Sequence, residues 1–179
     1  VFDRNGVPYK KYTINRAQVL KNDVERLDGK ATIKMNKDLF AFLDIENMYP
    51  SITFWLINKA VRHYSETHVT EEGDLAAIEI GLEMLQFSIT NCLIIFQEKY
   101  YHYGKQDDPW KCVLAIGGYD SAWLADLVAC YILDMTESSW KPVFSYFKIY
   151  RDDGVGLARN SSVDKLTKWF EEFQNEVNV

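Results

Sequence analysis

Two adjacent acids, Asp152-Asp153, stand between two short apolar runs, Val143-Phe144-Ser145-Tyr146-Phe147-Lys148-Ile149 and Gly154-Val155-Gly156-Leu157. Strand-forming runs broken by a polar pair read as a hairpin with the acids in its turn. Asp44 ends a third apolar run, Leu39-Phe40-Ala41-Phe42-Leu43, well upstream. Three carboxylates at strand ends could line a pocket for two divalent metals, the arrangement that activates a hydroxyl and stabilises a leaving pyrophosphate. Carboxylates so close repel one another, so the cluster is better tolerated with metal bound. Asp107-Asp108, which lacks flanking strands of this kind, reads as a solvated turn instead.

The chain has 179 residues, the length of one domain, and 47% of them are hydrophobic, enough for a sizeable core. Its net charge of −6 argues against strong nucleic-acid binding by the chain alone. The charge is uneven: residues 1–38 carry a balance of +4 and the remainder −10. A basic arm therefore precedes an acidic body. Cys92, Cys112 and Cys130 lie in apolar surroundings and read as reduced core thiols, which points to a reducing, intracellular compartment, nuclear or cytoplasmic. His63, His68 and His102 have no zinc-ligand spacing with them. The apolar stretch from Leu75 to Phe96 contains Glu79, Glu83, Gln86 and Asn91, which a bilayer core would penalise, so no membrane span is expected. The absence of an initial Met and the helical character of the last residues suggest a piece of a longer protein.

Along the chain, residues 13–28 fit a helix, 39–45 a strand, and 54–64 a helix capped by Ser51 or Thr53. A long helix is expected from Gly73-Asp74 to about residue 96, with Leu75, Ile78, Leu82, Leu85 and Ile89 on one face. Lys99–Tyr103 and Lys111–Ile116 read as a short hairpin, and residues 121–137 as a helix. Strands at 143–150 and 154–158 flank the acids, and Ser162 caps a last helix with an apolar stripe of Val163, Leu166, Trp169, Phe170 and Phe173. That order predicts an α+β fold, an antiparallel sheet with helices packed on one face.

Three segments then resemble a known family. Phe42-Leu43-Asp44-Ile45-Glu46-Asn47-Met48-Tyr49-Pro50-Ser51-Ile52 resembles the first palm motif of reverse transcriptases, in which a metal-binding Asp is followed five residues later by an aromatic residue, here Tyr49. Tyr150-Arg151-Asp152-Asp153 resembles the family's Tyr-x-Asp-Asp motif. Between them, Gly117-Gly118-Tyr119-Asp120-Ser121-Ala122-Trp123-Leu124-Ala125-Asp126-Leu127 is similar to its Gly-x-x-x-Ser-Pro-x-Leu-Ala segment. The resemblance covers about residues 38–179. Asn91–Tyr101 and Ser162–Phe173 look like stretches of Penelope-like retroelement reverse transcriptases, relatives of telomerase.

The resemblance implies a polymerase palm over 38–179, preceded at 1–37 by the end of the fingers or a linker, with the thumb absent. It implies an RNA-directed DNA polymerase that adds dNTPs to a primer 3′-hydroxyl using two Mg²⁺ or Mn²⁺ ions. Asp44 and Asp152 would ligate both metals, Asp153 would assist, and the Ile45 carbonyl could be a further ligand. Tyr49 would select deoxynucleotides, Gly117 would let the backbone approach the nucleotide, and Ser121 and Arg151 would touch template or primer. The expected partners are an RNA or DNA template with primer, dNTPs, and fingers and thumb regions. Departures fall around the nucleotide. Ile116 stands where the family has Gln, Ala122 where it has Pro, and Arg151 where small or apolar residues are common. Lys30, Lys34 and Lys37 are candidates for the triphosphate grip or simply solvated. Tyr100, Tyr101 and Tyr103 could stack on bases or pack within a strand. An RNA-dependent RNA polymerase palm and a domesticated, non-catalytic palm that binds RNA or protein are the alternatives.

Overall fold

A computed structural model describes residues 21–23, 26, 37–103 and 107–177. In chain order the elements are β1 (Leu39–Asp44), α1 (Met48–Ser51), α2 (Phe54–His68), α3 (Glu72–Thr90), β2 (Leu93–Phe96), β3 (Lys99–His102), a 3₁₀ turn (Pro109–Lys111), α4 (Ser121–Met135), α5 (Glu137–Trp140), β4 (Tyr146–Tyr150), β5 (Asp153–Ala158) and α6 (Val163–Val177). The chain is α+β, as expected. The expected helix over 13–28 lies largely outside the described residues, of which 21–23 and 26 are helical, and Lys30 and Lys34 lie outside them altogether. No helix among the described residues is long and apolar enough to cross a membrane.

The chain divides into two compact units, residues 1–46 with 132–179, and residues 47–131. The first unit contains a three-stranded antiparallel sheet of order β1-β5-β4. Alternation sorts its side chains into two faces. One face carries Leu39, Ala41 and Leu43 with Gly154, Gly156 and Ala158, and with Phe147 and Ile149 of β4. An aromatic cluster covers it: Phe144 stacks on Phe147 at 5.1 Å, and Trp169 of α6 meets Phe144 edge-on at 4.8 Å. Trp140 lies 5.5 Å from Phe147 and donates its indole N–H to the Leu133 carbonyl at 2.8 Å, which satisfies the buried polar atom. Gly156 is required here, because a Cβ at that position would come within 2.6 Å of the Phe144 ring. The other face carries Phe40, Phe42 and Asp44 with Val155 and Asp153, and β1 leaves Phe42 80% exposed on it. Among the described residues the continuous apolar run of β1 is therefore covered on one side only.

At its far end β1 is fastened by Asp38. Its buried carboxylate accepts from Arg159 at 2.8 Å and from the Asn160 N–H at 3.2 Å, while the Ser161 N–H reaches the Lys37 carbonyl at 3.0 Å. These bonds tie the start of β1 to the end of β5 and help fix their register.

In the second unit, the Thr53 hydroxyl caps α2 by accepting from the Leu56 N–H at 3.3 Å, the role foreseen for Ser51 or Thr53. Ile57, Ala60, Cys112 and Leu114 form part of its core. Arg62 of α2 holds Glu79 of α3 bidentately at 2.7 and 2.8 Å. That hydrogen-bonded pair raises the guanidinium above its ordinary pKa.

Several expected boundaries shift. The long helix stops at Thr90, where the Asn91 side chain donates back to the Phe87 carbonyl at 2.8 Å. Residues Leu93–Phe96 are a strand rather than its last turn, consistent with the β-branched Ile94-Ile95 pair, and they pair with Lys99–His102. The short hairpin is therefore β2-β3. Lys111–Ile116 is not a strand: Asp108 caps a 3₁₀ turn by accepting from the Trp110 N–H at 3.0 Å, and Val113 makes an isolated bridge with Thr53. Strand β4 starts at Tyr146, because the Val143 and Phe144 N–H groups both turn back to the Trp140 carbonyl at 3.0 Å. Helix α4 ends at Met135, and the short α5 follows. Ser162 sits where expected, accepting from the Lys165 N–H at 3.4 Å. Cys112 and Cys130 are buried thiols outside any disulfide, and Cys92 is half-buried.

Candidate active site

The hairpin β4-β5 closes through a turn of two residues, Arg151 and Asp152, since Tyr150 pairs with Asp153. Arg151 has φ 56°, the left-handed region that usually falls to glycine in such turns. Holding a side chain there costs about 1 kcal/mol. Its guanidinium lies 5.7 Å from the centre of the Tyr150 ring, a cation–π contact.

Asp153 faces Asp44 directly across β1 and β5. The Ile45 N–H donates to the Asp152 carbonyl at 2.9 Å, one residue beyond that pair. Asp44 and Asp153 are thus a non-hydrogen-bonded pair, the kind whose side chains stand closest, with Cα atoms about 4.5 Å apart. Like charges at such positions destabilise a sheet. Asp44, Asp152 and Asp153 are all exposed. Among the described residues none of the three carboxylates is engaged in an ion pair or side-chain hydrogen bond. Exposed hard oxygens left unneutralised suit a Mg²⁺-type cation, which usually takes one or two carboxylates and leaves its other positions to water and phosphate. No group of three His, Cys, Asp or Glu side chains among the described residues is gathered for a single ion.

The first unit therefore brings together Asp44, Ile45, Arg151, Asp152 and Asp153. Tyr49, Gly117 and Ser121 belong to the second. Tyr49 is half-buried in α1. Gly117 has φ 84° with open space around its Cβ position, so backbone conformation rather than crowding calls for glycine there. Its neighbour Gly118 is the crowded one, since a Cβ would collide with the Ser121 hydroxyl. Ser121 is buried at the start of α4, while Ile116 is 71% exposed.

Sequence reasoning missed a buried charge cluster on the acid-bearing face. Asp23 accepts from Arg26 at 2.8 Å and from the Tyr146 hydroxyl at 3.3 Å, and the Lys148 ammonium lies 3.0 Å from it. Burial, then the Asp23 charge and hydrogen bond, push the Tyr146 phenol well above its ordinary pKa. The alternation of Tyr146, Lys148 and Tyr150 was the available signal, but Asp23 sat in the basic arm, within the helix expected over 13–28, far along the chain from these partners.

The antiparallel sheet and its packed helices make an α+β fold. The chain shares it with a solved structure of apo telomerase from Candida tropicalis truncated from its C-terminal domain. The TM-score is 0.55 at 9% identity, over 92% of this chain and 32% of that one. At that identity the likeness is one of fold. No protein-family model matches the chain, and no curated protein sequence matches it.

Proposed function

We propose that residues 38–179 are the palm of a reverse-transcriptase-like nucleotidyltransferase of the Penelope-like kind, with residues 1–37 leading into it. The observation that carries this reading is the Asp44–Asp153 opposition at the open end of an antiparallel sheet, with Asp152 in the adjoining turn. Asp44, Asp152 and Asp153, with the Ile45 carbonyl, would hold two Mg²⁺ or Mn²⁺ ions. Those ions would supply Lewis acidity to a primer 3′-hydroxyl and neutralise charge on the leaving pyrophosphate. The protein's own part is positioning. The hairpin register sets the carboxylates, and Arg151 offers a cation to the primer backbone. Tyr49 and Gly117 serve the incoming dNTP, and Ser121 serves the template strand. RNA or DNA template with primer, and fingers and thumb regions, complete the assembly.

Primer extension tests this reading, using the protein expressed from its whole reading frame beside its Asp152→Asn form. Activity should fall at least about 100-fold, the scale of losing one charge-stabilising group. Equal extension by both would remove Asp152 from the chemistry. A non-catalytic palm that binds RNA or protein is the second reading. It draws on the absence of a gathered three-ligand group among the described residues and on the exposed Ile116.

A further inference from the structure

Lys148 and Asp153 share a face of the sheet and stand one step apart diagonally. Lys148 pairs with Val155, and Tyr150, two residues on, pairs with Asp153. Diagonal neighbours of this kind lie about 7–8 Å apart, within reach of a long side chain. The register alone would thus let the Lys148 ammonium settle on the Asp153 carboxylate. Instead it lies 3.0 Å from Asp23 Oδ2, with the two side chains only 15% and 10% exposed. Asp23 is itself held in place, by Arg26 on Oδ1 and by the Tyr146 hydroxyl on Oδ2.

We propose that Asp23 is a positioning residue that keeps Lys148 off the Asp44–Asp153 pair, so that those carboxylates stay available to a divalent cation. The inference rests on the polymerase reading of that pair. An ammonium seated on Asp153 would neutralise one of the two opposed charges and compete with metal for it. A buried ion pair is a poor device for stability alone, since apolar replacements are often neutral or better. Here the pair gives one more thing: a fixed place, away from the acids, for a cation that stands within diagonal reach of them.

Two measurements test this on the 179-residue chain. The first is the rise in melting temperature on adding Mn²⁺. It should be present in the native chain, mostly lost in Asp23→Asn, and regained in Asp23→Asn/Lys148→Met. A purely structural Asp23 predicts no such rescue. The second uses urea midpoints in metal-free buffer for a double-mutant cycle of Lys148→Met with Asp153→Asn. Coupling should be near zero in the native background and appear once Asp23→Asn is added. Should the Asn variant fail to fold, Asp23→Ser gives the same comparison.

An unchanged Mn²⁺ response in Asp23→Asn, or no regain in the double variant, would overturn the proposal. So would a cycle without coupling in either background. If the native chain shows no Mn²⁺ response, the metal reading of the acid pair fails instead. The cycle then decides by itself whether Asp23 diverts Lys148.

Discussion

Asp38 and Asp44 bracket the same strand and meet opposite fates. Asp38 is buried and bonded to Arg159 and the Asn160 N–H, whereas Asp44 is exposed and looks across at another carboxylate. Asp38 is held inside the fold by its partners, and Asp44 is left to solvent opposite Asp153. Tyr146 offers a pH test at this scale. Its phenol would ionise near pH 10 in the unfolded chain, but burial and Asp23 keep it protonated to higher pH in the folded one. Its contribution is fully present below about pH 10. It is lost as pH rises beyond that, because there the unfolded chain releases the proton first. Urea unfolding from pH 8 to 11 should show stability falling above 10, and Tyr146→Phe should flatten that fall. An unchanged slope in the variant would mean that the phenol is not held this way.

At the scale of elements, α6 meets the sheet's aromatic cluster through Trp169, which lies edge-on to both Phe144 and Phe147. Trp169→Ala should cost about 3–5 kcal/mol, the range for large aromatics in a core. Gly156→Ala should also destabilise, because the added methyl drives into Phe144 and Phe147. Thermal melting of both variants checks this, and a Gly156→Ala chain as stable as the native one would refute the close approach. These elements were legible to different degrees. The acid hairpin, β1 and α6 stood out because apolar period, turn residues and caps agreed locally. The end of α3 did not: Leu93–Phe96 is apolar throughout, so period alone cannot tell a buried helical turn from a strand. What decides is pairing with Lys99–His102, which sequence shows only indirectly. The same holds for the site. The three acids were visible as residues, but that Asp153 rather than Asp152 faces Asp44 depends on a two-residue turn. Asp23 was invisible because its partners Lys148 and Tyr146 lie more than a hundred residues away.

At the scale of the whole molecule, much apolar surface is left uncovered. The β2-β3 hairpin exposes Leu93, Ile94, Ile95, Phe96, Tyr100 and Tyr101, and α3 exposes Ile80, Met84 and Phe87. Contiguous apolar surface of this kind promotes association, and a two-stranded hairpin also presents open edges. Light scattering of the 179-residue chain should therefore rise with concentration, and Ile95→Lys should reduce the rise without lowering the melting temperature. An unaffected rise would place the sticky surface elsewhere. The register of β1 on β5 has a consequence for how such a chain can vary over generations. Side chains alternate, so losing or gaining one codon between Asp38 and Asp44 would turn Asp44 toward the aromatic cluster while Asp38 stayed fastened. Every carboxylate would survive, yet the opposed pair would be gone. Substitutions along β1 should thus accumulate far more freely than changes in its length.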